Sequence, residues 1–284
     1  SDKKESNPVD LRINSFIMRS GHLTYDVKSE PHKDTFDLNH LNVDHLDITL
    51  SLKAFTDDSL NLMVKRLNFV EKNSGLQLNK LEAQIEGNQT EGHMTNLMLE
   101  TNQSVLSIDS LYAEYRNYQK DKSFRFATEI QNSHITPVDF KGLLPQLSDL
   151  TTPLQLNARI EGTQEQIDIH YLKLQTDSRS FMADLNGYAR NIQTDNKDLY
   201  VKVNRLALNN DTKATLFKLL NPNSEMPAIV ENMGTMDYTG TIQQSDNLTS
   251  VNGTLTSEVG NVQLFVDLSK NKNIEAHTKS DALN

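Results

Sequence analysis

The sequence of 284 residues contains no cysteine and no tryptophan, and aromatic residues make up only 6% of it. Without cysteine the chain has no disulfide and no thiol chemistry, which fits an oxidising compartment such as the periplasm. The shortage of aromatic rings argues against stacking on sugars. No segment approaches the roughly 20 apolar residues of a membrane-spanning helix. From its abrupt start at Ser1-Asp2-Lys3-Lys4-Glu5 and its end at Ala282-Leu283-Asn284, we interpret the chain as a piece of a longer protein, with any membrane anchor outside it.

Basic charge is also in short supply, since 28 Lys and Arg face 38 Asp and Glu and give a net charge of -10. Binding to DNA or RNA depends on basic side chains that displace counterions from phosphates, so we expect no nucleic-acid partner. The mean hydropathy is -0.56. So small an apolar supply, in a chain rich in strand patterns, predicts an elongated molecule whose core is one layer of side chains.

What the sequence does contain is a repeated pattern of apolar pairs. Two apolar residues at alternate positions are followed by two spacers, which are mostly polar, and then by two more apolar residues at alternate positions. Copies begin at Leu11, Phe36, Leu41, Leu62, Leu76, Leu106, Ile167 and Val201. An amphipathic helix gives similar marks, but plain alternation in 124–130, 154–160 and 262–268 favours antiparallel strands.

The spacers have a consequence for the strands. Side chains alternate between the two faces of a strand, so a step of three residues would move the second pair to the opposite face. One extra residue, a β-bulge, keeps both pairs on one face and bends the strand. The first spacer is usually a short polar residue that tolerates unusual backbone angles, as at Asn14, Asn39, Asp44, Asn79, Asp109 and Asn204. The recurrent bulges predict a mainly β fold with a strongly curved antiparallel sheet and an open groove.

Two segments depart from the strand pattern and predict short helices. Val138–Leu150 follows Pro137 and carries four large apolar residues at helical spacing, and Asp211–Leu220 ends just before Pro222. We expect these helices to cover an edge or close an end of the sheet.

The first of these helices also suggests the domain organisation. We expect residues 1–7 to be a flexible N-terminal remnant and residues 8–281 to form one elongated β domain. Its two halves, 8–137 and 154–281, are predicted to join around the short helix near 138–150, which Pro145 and Pro153 bracket at its exit.

The residues that carry chemistry show no catalytic arrangement. None of the eight histidines forms a His-x-x-x-His pair, and the chain has no cysteine to complete a zinc site. His40 and His45 occupy second-spacer positions of overlapping copies, where a shared ligand site is the alternative to the favoured interpretation of two exposed bulge residues. No nucleophile elbow, phosphate-binding loop or dinucleotide fingerprint occurs. We therefore expect no enzyme activity and no cofactor.

Four degenerate segments, taken in order, carry a family resemblance. They are Ile167–Leu174, then 109–113 preceding 124–130, then 135–145 followed by 154–162, and finally 233–240 followed by 253–262. With these segments the chain resembles the AsmA-like/TamB family of Gram-negative envelope proteins along most of residues 8–281. TamB is far longer, and its distinctive C-terminal region has no recognisable counterpart here.

The resemblance implies a β-taco, which is a long curled sheet with an apolar inner groove, anchored in the inner membrane and crossing the periplasm. It implies a role in outer-membrane biogenesis through phospholipid transfer, with an outer-membrane β-barrel protein as a further partner. We expect the acyl chain of a phospholipid or similar lipid to contact Leu76, Leu78, Leu106, Ile108, Leu154, Leu156, Ile160, Ile167, Ile169, Leu172, Leu174, Val201, Val203 and Leu206. Alternatively, the same face closes as a sandwich core, in an envelope adhesin or a carbohydrate-binding β-sandwich module.

Overall fold

Strands dominate the chain, as the alternating apolar pattern predicts. The computed structural model describes residues 9–33, 35–116, 123–148, 150–194, 196–220, 224–245, 248–269 and 274–281. The predicted flexible remnant, residues 1–7, lies outside them. The chain divides into two compact units, unit 1 (Ser1–Pro153) and unit 2 (Leu154–Asn284). The protein is therefore mainly β, and each unit is described by itself.

Unit 1 is an antiparallel meander in which each strand pairs with the next one along the chain. Its described strands are β1 (Asp10–Asp26), β2 (His40–Thr56), β3 (Leu60–Glu71), β4 (Gln77–Gly87), β5 (Glu91–Glu100), β6 (Val105–Glu114) and β7 (Arg125–Ile135). Short connections favour this order, because neighbouring strands can pair directly. In the β4–β5 turn, the Asn88 side chain accepts the backbone N–H groups of Thr90 and Glu91 at 2.8 and 3.1 Å.

Unit 2 is a second antiparallel meander. Its described strands are β8 (Leu154–Thr163), β9 (Gln166–Thr176), β10 (Phe181–Arg190), β11 (Asp198–Leu208), β12 (Met236–Ser245), β13 (Leu248–Ser257), β14 (Gly260–Ser269) and β15 (Ile274–Asp281). Two helices, α1 (Asn210–Leu220) and α2 (Ala228–Glu231), separate β11 from β12. The alternation in 154–160 and 262–268 lies in β8 and β14, as predicted.

The bulges are present at seven of the eight predicted copies. An extra residue interrupts the pairing register at the spacers of the copies that begin at Leu11, Leu41, Leu62, Leu76, Leu106, Ile167 and Val201. In the Val201 copy, Asn204 and Arg205 face one residue of each neighbouring strand. Further bulges, at Ser20, Asn96 and Asn132, have positive φ angles of 50°, 52° and 49° and fall outside the apolar-pair pattern. The strong curvature that we expect from bulges stays a prediction.

The prediction of a bulged strand from the copy that begins at Phe36 is wrong. Residues 36–39 precede β2 and form a turn, in which the Asp37 carboxylate accepts the backbone N–H of Asn39 at 3.0 Å. The backbone N–H of Phe36 instead donates to the Gly142 carbonyl at 2.7 Å. A short aspartate that binds the backbone two residues later favours a turn over a strand, which explains the misassignment.

Of the two predicted helices, one is present and the other is replaced by two shorter ones. The predicted helix Asp211–Leu220 is α1, and the Asn209 side chain caps it by accepting the N–H of Thr212 at 2.9 Å. The segment Val138–Leu150 forms two short 3₁₀ helices, Pro137–Phe140 and Pro145–Leu147, instead of a single helix. Pro145 cannot donate a backbone hydrogen bond, so it starts a new turn instead of continuing the first.

Candidate functional site

The pairing register of unit 2 places its predicted groove residues on one face of the sheet. Residues directly opposite each other on antiparallel strands point to the same side. Three rows cross the unit from β8 to β14, and they are Leu156, Leu174, Ala183, Leu206, Tyr238, Leu255 and Val262; Ala158, Leu172, Leu185, Val203, Gly240, Gly253 and Leu264; and Ile160, Ile169, Gly187, Val201, Ile242, Val251 and Val266. Leu154 and Ile167 lie further along the same face. We call this surface the unit 2 apolar face.

Unit 1 has an equivalent surface, the unit 1 apolar face. One of its rows consists of Met18, Ile48, Leu67, Leu81, Leu99 and Leu106. Ile108 is opposite Leu97 and Ile130, and Leu78 is opposite Phe69. Leu76 precedes β4 and is not part of the pairing register. The other three predicted residues of this unit, Leu78, Leu106 and Ile108, therefore share one face.

The fourteen predicted residues are only partly shielded from water. Leu78 and Val203 are buried, with 7% and 4% of their surface exposed, and the other twelve are half-buried. A closed sandwich would bury such residues between two sheets, as protein interiors are close-packed. In the described part of each unit the strands form one meander, so no second sheet of the same unit covers this face.

The opposite face of unit 2 is polar. Its row from β8 to β14 consists of Glu161, Asp168, Tyr188, Tyr200, Gln243, Ser250 and Asp267. Arg205 on the same side pairs with Asp237 at 2.7 Å. The difference between the two faces gives unit 2 a water-facing side and a side suited to apolar contact.

Tyr238 occupies a gap in the unit 2 apolar face that the sequence alone did not reveal. Gly240 and Gly253 are directly opposite each other and have no side chain to fill their row. The Tyr238 ring, 8% exposed, lies over both glycines and packs with Val203 and Leu255. Its hydroxyl donates to the carbonyl oxygens of Asn252 and Thr241, at 3.0 and 3.2 Å. Burial raises the pKa of Tyr238, which keeps the phenol neutral.

Two buried charged residues were also missed. Glu71, at the end of β3, is 0% exposed and accepts hydrogen bonds from Asn42 N–H at 3.0 Å and from Ser74 N–H and Oγ at 2.7 Å. Burial alone would raise the Glu71 pKa, but these hydrogen bonds hold it below its usual range. Lys213 of α1 donates to the carbonyl oxygens of Val230, Glu231 and Gly234. Both are satisfied structural groups, which single-residue patterns do not predict.

One group of described residues has the geometry to hold a metal ion. The ligand atoms of Asp26, His32 and His40 lie within 4.8 Å of one another. His40 is 3% exposed, and Asp37, 6% exposed, lies 2.9 Å from its Nδ1. This hydrogen bond lowers the Asp37 pKa and raises the His40 pKa. The interpretation of His40 and His45 as two exposed bulge residues is therefore wrong for His40 and right for His45, which is exposed and lies outside this group.

No model of a known protein family, no curated protein and no solved structure matches the chain. Among the described residues, no helix has the length and apolar character needed to span a bilayer. The functional argument therefore depends on the two apolar faces and their residues.

Proposed function

We propose that the apolar faces bind the acyl chains of an envelope lipid, in a periplasmic protein similar to the AsmA-like/TamB proteins. The observation that supports this proposal is the register of unit 2. It aligns mostly aliphatic side chains, the majority of them half-buried, from seven successive strands in three parallel rows. A lipid chain is a ligand class that matches a largely aliphatic surface.

Burial of methylene groups supplies the favourable part of the binding energy. Removal of one methylene group from water contributes about 0.8 kcal/mol. A chain that buried about eight methylenes against such a face would gain roughly 6 kcal/mol, of which the cost of association removes about 4 kcal/mol or more. Binding to such a face would therefore be weak and reversible, which suits a carrier.

The resemblance to the AsmA-like/TamB proteins also suggests where in the cell the protein would act. Curvature from the bulges would turn each apolar face into the floor of a trough, and the longer protein would supply an inner-membrane anchor. Transport of phospholipid toward the outer membrane, or support of β-barrel assembly there, would be the cellular role. The net charge of -10 is compatible with a conduit that does not dock on anionic membranes through charge.

The proposal is tested by exposing delipidated protein to a fluorescent phospholipid and measuring uptake. Ile169→Asp and Leu156→Asp place a charge on the unit 2 apolar face and should reduce uptake at least about tenfold, the equivalent of 1.4 kcal/mol. Thr254→Asp is the matched control, because Thr254 is exposed on the polar face of the same unit. Circular dichroism and thermal unfolding would establish that each variant is folded.

A second measurement does not depend on a charge in the apolar face. Because the chain has no cysteine, a single Ile169→Cys or Thr254→Cys variant carries a unique thiol. Lipid loading should slow maleimide labelling of the thiol at position 169 and leave position 254 unchanged. The proposal would be refuted if the native chain took up no lipid. It would also be refuted if lipid loading changed the labelling rate at positions 169 and 254 by the same factor.

A further inference from the structure

The connection between β1 and β2 brings three metal-binding side chains together. Asp26 ends β1 and His40 begins β2, and they are direct register partners, so their side chains lie on the same side of the sheet. His32 belongs to the connection between them. Its ring lies against the His40 ring, with the centroids 3.8 Å apart and the planes inclined by 35°. This side is opposite the unit 1 apolar face, because Tyr25 and Leu41, the adjacent pair, point the other way.

The distances fit a small tetrahedral ion. Asp26 Oδ1 lies 3.5 Å from His40 Nε2 and 3.7 Å from His32 Nε2. Ligand atoms on a zinc ion with metal–ligand bonds of about 2.0–2.1 Å are separated by roughly 3.3 Å. Small rotations of the exposed Asp26 and His32 side chains would bring all three atoms onto one ion.

His40 provides an independent indication of a ligand. Its Nε2 is buried and has no hydrogen-bond partner among the described residues, although buried polar atoms are normally satisfied. Asp37 Oδ2, 2.9 Å from Nδ1, fixes the ring orientation and favours the tautomer with Nδ1–H. Zinc-bound histidines commonly donate their other N–H to a carboxylate in this way, which aims the free Nε2 lone pair at the metal.

We propose that Asp26, His32 and His40 bind a zinc ion, with Asp37 positioning His40. Two imidazole nitrogens and a carboxylate oxygen form a ligand set that zinc accepts, and a fourth position remains for water. Calcium and magnesium are disfavoured because they prefer sets of six or more oxygen ligands. The ion would fasten the β1–β2 connection to the strand ends that flank it.

The test is titration of the tag-free chain with Zn²⁺ in a mildly alkaline buffer, with the heat of binding measured by calorimetry. We expect one equivalent to bind with a Kd of about 10 µM or tighter. His32→Ala and Asp26→Asn should each weaken binding about 10–100-fold. Both side chains are largely exposed, at 73% and 46%, so these variants should fold. His170→Ala is the matched control, because His170 is an exposed histidine 3.0 Å from a carboxylate oxygen of Glu161 in unit 2.

Two further readouts identify the ligand atoms. Nuclear magnetic resonance of the His40 ring should show Zn²⁺ at Nε2 and a proton retained at Nδ1. Asp37→Asn should weaken binding by a similar factor without removing a ligand atom. Binding that is unaffected by both His32→Ala and Asp26→Asn, or the absence of one tightly bound equivalent, would overturn the proposed site. Neither result would bear on lipid uptake, because the variants that test uptake lie in unit 2 and the metal site lies in unit 1.

Discussion

The glycine pair under Tyr238 provides a sharp test of how the unit 2 apolar face is built. In Gly253→Ala, the new Cβ would lie 2.7 Å from Tyr238 Cε2 and 2.8 Å from Gly240 Cα, and closer still to the Thr239 carbonyl oxygen. Contacts below about 3 Å force a displacement, and here both the β12 backbone and the Tyr238 ring must give way because the new Cβ meets atoms of each. The substitution should therefore lift the Tyr238 ring away from the sheet.

The cost can be assembled from two parts. Overpacking of a tight interior site costs about 1–3 kcal/mol. Displacement of the ring also weakens the hydrogen bonds from its hydroxyl to the Asn252 and Thr241 carbonyls, a loss of about 1 kcal/mol. We expect Gly253→Ala to destabilise unit 2 by about 2–4 kcal/mol. Thr254→Ala, on the exposed polar side of the same strand, should change stability by less than about 0.5 kcal/mol.

Hydrogen exchange measured by mass spectrometry suits a chain of two units, because it reports local opening separately for each strand. Amides of β12 and β13 should lose protection in Gly253→Ala, while strands of unit 1 keep theirs. Tyr238→Ala combined with Gly253→Ala should cost less than the sum of the single substitutions, because the ring that the new methyl group displaces is gone. Unchanged protection in β12 and β13, or strict additivity, would refute the packing argument.

Two predictions concern unit 1. Glu71→Gln should destabilise it by about 2–3 kcal/mol at neutral pH, because an amide group cannot accept all the hydrogen bonds that the buried carboxylate accepts. In urea titrations the stability difference between the two proteins should shrink as the pH falls below 4.5, the ordinary pKa of a glutamate, because the lowered native pKa stabilises the fold only while Glu71 is ionised. A stability difference that is independent of pH would contradict this. His45 has a φ of 52°, so His45→Gly should be neutral or stabilising, whereas His45→Val should cost about 1–2 kcal/mol, and equal unfolding midpoints for the two variants would argue against backbone strain at this bulge.

The sequence predicted the strands and most of the bulges because both depend on local spacing. The Leu62 copy shows why: Lys65 and Arg66 separate two apolar pairs that must reach one face, and only an extra residue achieves this. The bulges at Ser20, Asn96 and Asn132 lack that signature, since the constraint on them comes from the neighbouring strand. The Phe36 copy failed because a side-chain hydrogen bond from the Asn39 backbone to Asp37 determines the turn.

Side-chain clusters were harder to predict than strands. Thirteen of the fourteen groove residues could be assigned to the apolar face of their own unit, because alternation and bulges determine which side of a strand each residue occupies. The proximity of His32, His40 and Asp26 could not be predicted, because it depends on the path of the chain between β1 and β2. Lys213 is buried because backbone carbonyl groups distant in the sequence satisfy it, and Glu71 because the nearby Ser74 and the distant Asn42 together satisfy it, which no local pattern records.

The bulges and the glycine pair together explain how a chain with few apolar residues maintains a continuous apolar face. Without an extra residue at its spacers, β9 would direct Ile167 and Ile169 to one side and Leu172 and Leu174 to the other. The bulge at His170 and Tyr171 restores the alignment, and the matching shift in β11 keeps Val201, Val203 and Leu206 opposite β10. Where small residues would leave a gap, one tyrosine covers two glycines. Each row is thus completed by backbone geometry, so that half-buried aliphatic side chains suffice to form the surface that we propose contacts lipid.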